Sequence, residues 1–188
     1  MLKYIEEFGK HVAITGFSSV EIKDTEEFFK IIHKEKPSNV EIQFFDAKLV
    51  ATWQHLYFAA LNALTAFKNK ENISKSLAME TMLYASAQRQ IRRAMELVGI
   101  KHDSSEIAAL IIGENPETIE STLSMVSKYL KTERDDMVLE LSEKKTKIIQ
   151  RTFGISDVEL KTIMRKDDLE KALTDLVIER MALLATQR

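Results

Sequence analysis

Apolar and polar positions follow two different periods along this chain. Three runs are short, apolar or alternating, and end near glycine or aspartate: His11 to Gly16 (HVAITG), Val40 to Phe45 (VEIQFF) and Ile107 to Ile112 (IAALII). These predict strands, and Met137 to Leu141 (MVLEL), alternating and flanked by charge, is a fourth candidate. Elsewhere the apolar positions recur every three to four residues and predict helices over roughly 24–35, 47–69, 74–98, 116–131, 142–153, 156–163 and 167–186. Local punctuation agrees. Asp24 precedes Thr-Glu-Glu, Asn115-Pro116 puts proline at a first helical position, and Ser156 with Glu159 makes a capping-box pattern. Helical spans rather than tight turns separate the strands, so the sheet is assembled from distant parts of the chain. The expected fold is α+β: a helix-rich single domain over residues 1–188, packed on a small mixed or antiparallel sheet of three to four strands.

The run from Glu71 to Val98 carries one uninterrupted helical pattern with two unlike sides. Opened by Ser74 and closed by Gly99, it places Tyr84, Ala87, Ile91, Ala94, Met95 and Val98 along one side. Lys75, Arg89, Arg92 and Arg93 fall along the other, with Met82 and Ala85 among them. One side is expected to pack. The other is either a solvated face or a binding surface. Glu80 projects onto the packing side and needs a partner there.

The last helix raises a similar question. Leu169, Leu173, Leu176, Val177 and Leu184 form its main stripe, with Arg180 inside it, and Ile178, Ala182 and Ala185 lie behind. That is more apolar surface than one packing face requires, so the helix is either enclosed or has a second surface to cover. Arg180 either snorkels to water, pairs with Glu80, or bonds a partner. In the helix over 47–69, Leu49, Trp53, Leu56, Tyr57, Ala60, Leu64 and Phe67 read as core, while His55 falls on the small, mildly polar back and reads as a surface histidine.

Charge sharpens the picture locally rather than globally. The formal net charge is −2, so nucleic-acid binding would need a patch. Such a patch exists between Lys68 and Lys101, where Lys68, Lys70, Lys75, Arg89, Arg92, Arg93 and Lys101 face Glu71, Glu80 and Glu96. Cysteine is absent, which excludes a disulfide framework and thiol chemistry. The opening residues are too acidic for a signal peptide and no stretch is long enough to span a bilayer, so a soluble, cytoplasmic protein is expected.

Enzyme signals are sparse. His11, His33, His55 and His102 are scattered, none at the spacing of a helical metal pair. The five glycines are isolated, without a phosphate loop or nucleophile elbow. Adjacent carboxylates at Glu6-Glu7, Asp135-Asp136 and Asp167-Asp168 suit solvated loops and helix starts. The expectation is a protein that is not an enzyme and needs no cofactor or metal.

Several segments together resemble a known family. VAITGF, QFFDAKLVA leading into a long helix, ENISKSLAMETMLYASAQRQI, AALIIGEN, FGIS and LVIERMALL, in this order, resemble the kinase-binding subunit of the KEOPS complex in its archaeal form. Ser86 to Ile91 and Leu176 to Leu184 are the most specific pieces; residues around 117–136 and 163–168 exceed compact members. The resemblance implies a noncatalytic subunit that binds the small atypical kinase/ATPase of KEOPS, an assembly that makes threonylcarbamoyladenosine in tRNA. It further implies recruitment of tRNA through its terminal CCA. Under that implication Lys75, Arg89, Gln90, Arg92 and Arg93 are the RNA-binding candidates, and Ile178, Arg180, Met181, Ala182 and Leu184 the partner-binding ones. The competing reading is a protein-only adaptor that regulates the kinase without contacting RNA.

Overall fold

The backbone of the computed structural model is described for residues 1–186, the side chain of Ala185 excepted. A four-stranded, wholly antiparallel sheet lies at its centre, in the order β1 (Leu2–Ile5), β2 (Lys10–Phe17), β4 (Ile107–Gly113), β3 (Val40–Asp46). The central pairing runs from His11 opposite Gly113 to Phe17 opposite Ile107. β4 is the run IAALIIG, buried at every position because both faces of the sheet are covered.

Period-two alternation divides the core. Val12, Ile14, Phe45, Ala108, Leu110 and Ile112 face α2 (Trp53–Asn69), α3 (Leu77–Ala85), α4 (Ile91–Val98) and the end of α8 (Leu169–Thr186). Ala13, Phe17, Ile42, Phe44, Ala109 and Ile111 face α1 (Thr25–Glu35) and α5 (Pro116–Leu130). A third apolar cluster joins α6 (Glu143–Phe153), α7 (Asp157–Ile163) and the first half of α8 through Ile149, Phe153, Leu160, Leu173 and Val177.

The expected caps form: Asp24 accepts from Glu27 N, Asn115 from Glu117 N, and Ser156 with Glu159 closes a capping box. One strand was missed and two expectations are corrected. β1 was not legible, being four residues of mixed character on the sheet's edge. Met137 to Leu141 is no strand: Asp135 caps Met137 N and a 3₁₀ turn spans Asp136–Leu139. That turn docks because Asp136 accepts hydrogen bonds from Thr15 Oγ1 at 2.6 Å and from Gly16 N at 3.0 Å. The helix over 47–69 begins later, since Asp46 accepts from Lys48 N to form a 3₁₀ turn over Ala47–Leu49 before α2 starts at Trp53.

The most consequential correction concerns 74–98, which is two helices. The Ala87 N–H donates to Tyr84 O at 2.8 Å and the Gln88 N–H to Leu83 O at 3.0 Å, the paired bonds of a Schellman stop. Ala87 occupies the left-handed position, φ 51°. Glycine or asparagine there would have announced the stop; alanine in an apolar run does not. Ser86 to Gln90 then turn the chain into α4.

Candidate nucleic-acid interface and partner surface

The turn and α4 bring four of the five RNA-binding candidates together. Arg89, Gln90, Arg92 and Arg93 are consecutive or nearly so, and all are exposed. Gln90 stands at the N-cap of α4 but its side chain makes no capping bond, so the first-turn amides are not closed off by it. Amides and arginines there share one preference, for an anion. Arg92 pairs along the helix with Glu96 at 2.9 Å, a contact exposed on both sides and therefore weak. Lys75 is exposed but precedes α3, so a helix of nine residues, roughly 13 Å long, separates it from the turn.

The two helices redistribute the apolar residues. Met82 and Ala85, expected beside the arginines, are buried at 2% and 0% exposure. Tyr84, Ala94 and Val98 do pack in the core, but Ile91 and Met95, expected with them, are exposed at 42% and 49%. The reason is the turn at Ala87, which resets the helical phase so that positions after it no longer continue the stripe before it. The arginine-bearing helix thus has its own exposed apolar pair.

Glu80 is fully buried and supports the other end of α3. Its carboxylate accepts from Ile73 N at 3.0 Å and from Ser74 N at 2.6 Å, fixing the loop that carries Lys75. Its partners are backbone amides, and Arg180 is elsewhere.

His55, expected at the surface, is fully buried. Nε2 lies 2.8 Å from Ala85 O, and Nδ1 accepts from Ala51 N at 3.2 Å, an arrangement that assigns the proton to Nε2. Burial holds its pKa down at about 4, against the weaker upward pull of the Ala85 carbonyl. The sequence concealed this role because the back of α2 is covered by the distant α6–α8 cluster, with Phe153 edge-on to the imidazole at 5.6 Å.

On α8 the partner-binding candidates separate by burial. Met181 and Leu184 lie in the main core at 0% and 3% exposure, which agrees with the place of Leu184 in the main stripe and takes both away from the surface open to a partner. Ile178 is half-buried against the same core, and Ala182 is exposed. Leu183, missed by the sequence reading, is 44% exposed beside Ala182. Arg180 is half-buried and donates to Glu159, with both groups at the edge of the helical cluster. The broad apolar circumference of α8 follows from serving two clusters, with its first half in one and its second half in the other. The back of the helix keeps a smaller open surface; of its three residues, the side chain of Ala185 lies outside the described residues, as do residues 187 and 188. Among the described residues no helix is long and apolar enough to cross a membrane.

The chain matches the family described as Kinase binding protein CGI-121 over residues 17–185. It is also 34% identical over 116 residues to Regulatory protein Cgi121 of Methanocaldococcus jannaschii, a stretch covering 62% of this chain and 72% of that protein. With most of its length matched, including both helices of the arginine surface and α8 as far as residue 185, the chain belongs to the CGI-121 family of kinase binding proteins.

Proposed function

We propose that this protein is a noncatalytic subunit of the KEOPS assembly that binds its small kinase/ATPase and recruits tRNA through the terminal CCA for threonylcarbamoyladenosine modification. The observation that carries the RNA half is the composition of α4's exposed surface: Arg89, Arg92 and Arg93 beside the exposed Ile91 and Met95. Single-stranded RNA asks for cations along its phosphates and apolar surface for its unstacked bases, and this turn offers both within a few residues. Gln90, exposed and able to donate and accept, can meet a base edge. Lys75, beyond the far end of α3, reaches the RNA away from its terminus.

For the kinase, the supporting surface is Ala182 and Leu183, with Ile178 at their margin. An exposed small and branched apolar pair on a helix otherwise sunk in the core suits a hydrophobic docking contact. Arg180 frames it while tied to Glu159.

Gel-shift titration of the protein with intact tRNA and with tRNA lacking CCA tests the RNA half. Truncated tRNA should bind much more weakly, and Arg89→Glu should bind poorly even to intact tRNA; equal affinity for the two RNAs rejects CCA recognition. Absence of any tRNA binding would return the protein to the role of a protein-only adaptor. For the other half, Ala182→Glu combined with Leu183→Glu should abolish co-elution with the kinase on size exclusion, and persistence of the complex places the contact elsewhere.

A further inference from the structure

A second group of cations lies outside the run from Lys68 to Lys101. α6 presents Lys144, Lys147 and Arg151 at spacings of three and four, all exposed and therefore along one outer face. None of the three makes an ion pair among the described residues. Lys145 belongs to the interior instead: its Nζ donates to Val138 O at 2.8 Å and to Glu140 O at 3.1 Å. Glu143, the acid on α6 itself, stands in the first turn, where the helix dipole favours it.

Contacts at the two ends of α6 give this face a direction. At the start, Lys144 and Lys48 line one cavity of about 390 Å³ together with Glu106, Asp135 and Glu140, so the cationic run proper begins beyond it. At the finish, Phe153 meets the His55 ring at 5.6 Å, and that ring holds the carbonyl of Ala85. Ala85 is the last residue of α3, four before Arg89. α6 thus runs from the Lys48 cavity toward the end of α3, with Arg151 in its last turn.

Resting on the tRNA reading above, we propose that Lys144, Lys147 and Arg151 hold the phosphate backbone of the tRNA stem that leads into its 3′ end. The terminal bases lie at the α3–α4 turn and the preceding backbone follows α6. Chemistry separates this occupant from an acidic protein surface. Protein interfaces depend on apolar or aromatic anchors in pockets and are depleted in lysine. This face is lysine and arginine with half-buried Ile148, Gln150 and Thr152 at its edges. Cations without an apolar anchor suit sequence-independent contacts to phosphate.

The test uses the full chain carrying Lys144→Ala, Lys147→Ala and Arg151→Ala together, titrated against intact tRNA and against a short single-stranded RNA ending in CCA, over a salt series. For intact tRNA, affinity should fall about tenfold or more and the slope of log K against log salt should shrink by about 2 to 3, the value for three lost phosphate contacts. Affinity for the single-stranded RNA should be unchanged. A companion with Lys144→Arg, Lys147→Arg and Arg151→Lys should keep the wild-type slope. An unchanged slope in the alanine variant overturns the proposal, as does loss of kinase co-elution with tRNA binding intact, which would make α6 a protein surface. Failure of the CCA reading looks different: wild-type protein would then bind intact and CCA-less tRNA equally. No binding of intact tRNA by the wild type overturns both.

Discussion

His55 donates through Nε2 to the carbonyl oxygen of Ala85 at 2.8 Å, tying the first turn of α2 to the end of α3. The bond matters because Ala85 is where the chain leaves one helix to form the arginine-bearing turn. A fully buried imidazole with a donor on one side and an acceptor on the other is satisfied only as the neutral ring.

That neutrality makes stability depend on pH. His55 has a pKa of about 4 in the folded protein against the ordinary imidazole value of 6.5, so between these values the unfolded chain binds the extra proton. The stabilisation is complete above about 6.5 and is lost as pH falls toward 4, amounting to on the order of 3 kcal/mol. Carboxylates held low by partners, such as Glu120 beside Arg134, lose their contribution at the lower end of this window and beneath it. Urea unfolding should show stability dropping between pH 6.5 and 4.5 in the wild type and a flatter profile in His55→Gln, which should be weaker at pH 7 by about 1–3 kcal/mol. Parallel profiles for the two proteins would refute the assignment.

Glu80 should be intolerant of truncation. Glu80→Ala strands the buried Ser74 amide and the part-buried Ile73 amide, at a cost of about 1–3 kcal/mol, whereas Glu80→Gln retains an acceptor oxygen and should lose less. Denaturation midpoints give the ranking. Hydrogen exchange at the Ser74 amide should accelerate in Glu80→Ala before the protein opens globally.

Ala87 carries a left-handed backbone for which glycine is better suited. Ala87→Gly should therefore raise stability by up to about 1 kcal/mol, the relief of the Cβ clash exceeding the added freedom of the unfolded chain. A destabilised glycine variant, measured by thermal unfolding, would contradict the conformation assigned to this turn.

Ile91 and Met95 separate binding from folding. Being exposed, Ile91→Ser with Met95→Ser should change stability by no more than about 0.5 kcal/mol each, while affinity for a single-stranded RNA ending in CCA falls severalfold. A large loss of stability instead would place these side chains in the core.

Much of the layout was legible from the chain. β2, β3 and β4 showed themselves as short apolar runs, and most helices through their period and caps, because those signals are local. The arginine cluster was visible as positive charge in a chain that is otherwise acidic. Residues of the site were harder where a local signal was missing or replaced: Ala87 stops a helix without glycine, and β1 is four residues whose pairing lies entirely in its neighbour β2. Met181 could be seen as apolar but not assigned a side, while Leu184 was legible in the main stripe and is buried there.

The order of apolar and charged residues by itself determined that this is a helix-rich α+β protein with an arginine-bearing segment before Gly99 and an apolar final helix. Tertiary structure alone decided what each face meets. His55 is interior because α6–α8 cover the back of α2, Met181 and Leu184 are core because α8 bridges two clusters, and Ile91 and Met95 are exposed because the turn at Ala87 shifts the phase of α4. Periodicity specifies that a face is apolar; which element covers it depends on contacts between residues far apart in the chain, and those exist only once the fold has closed.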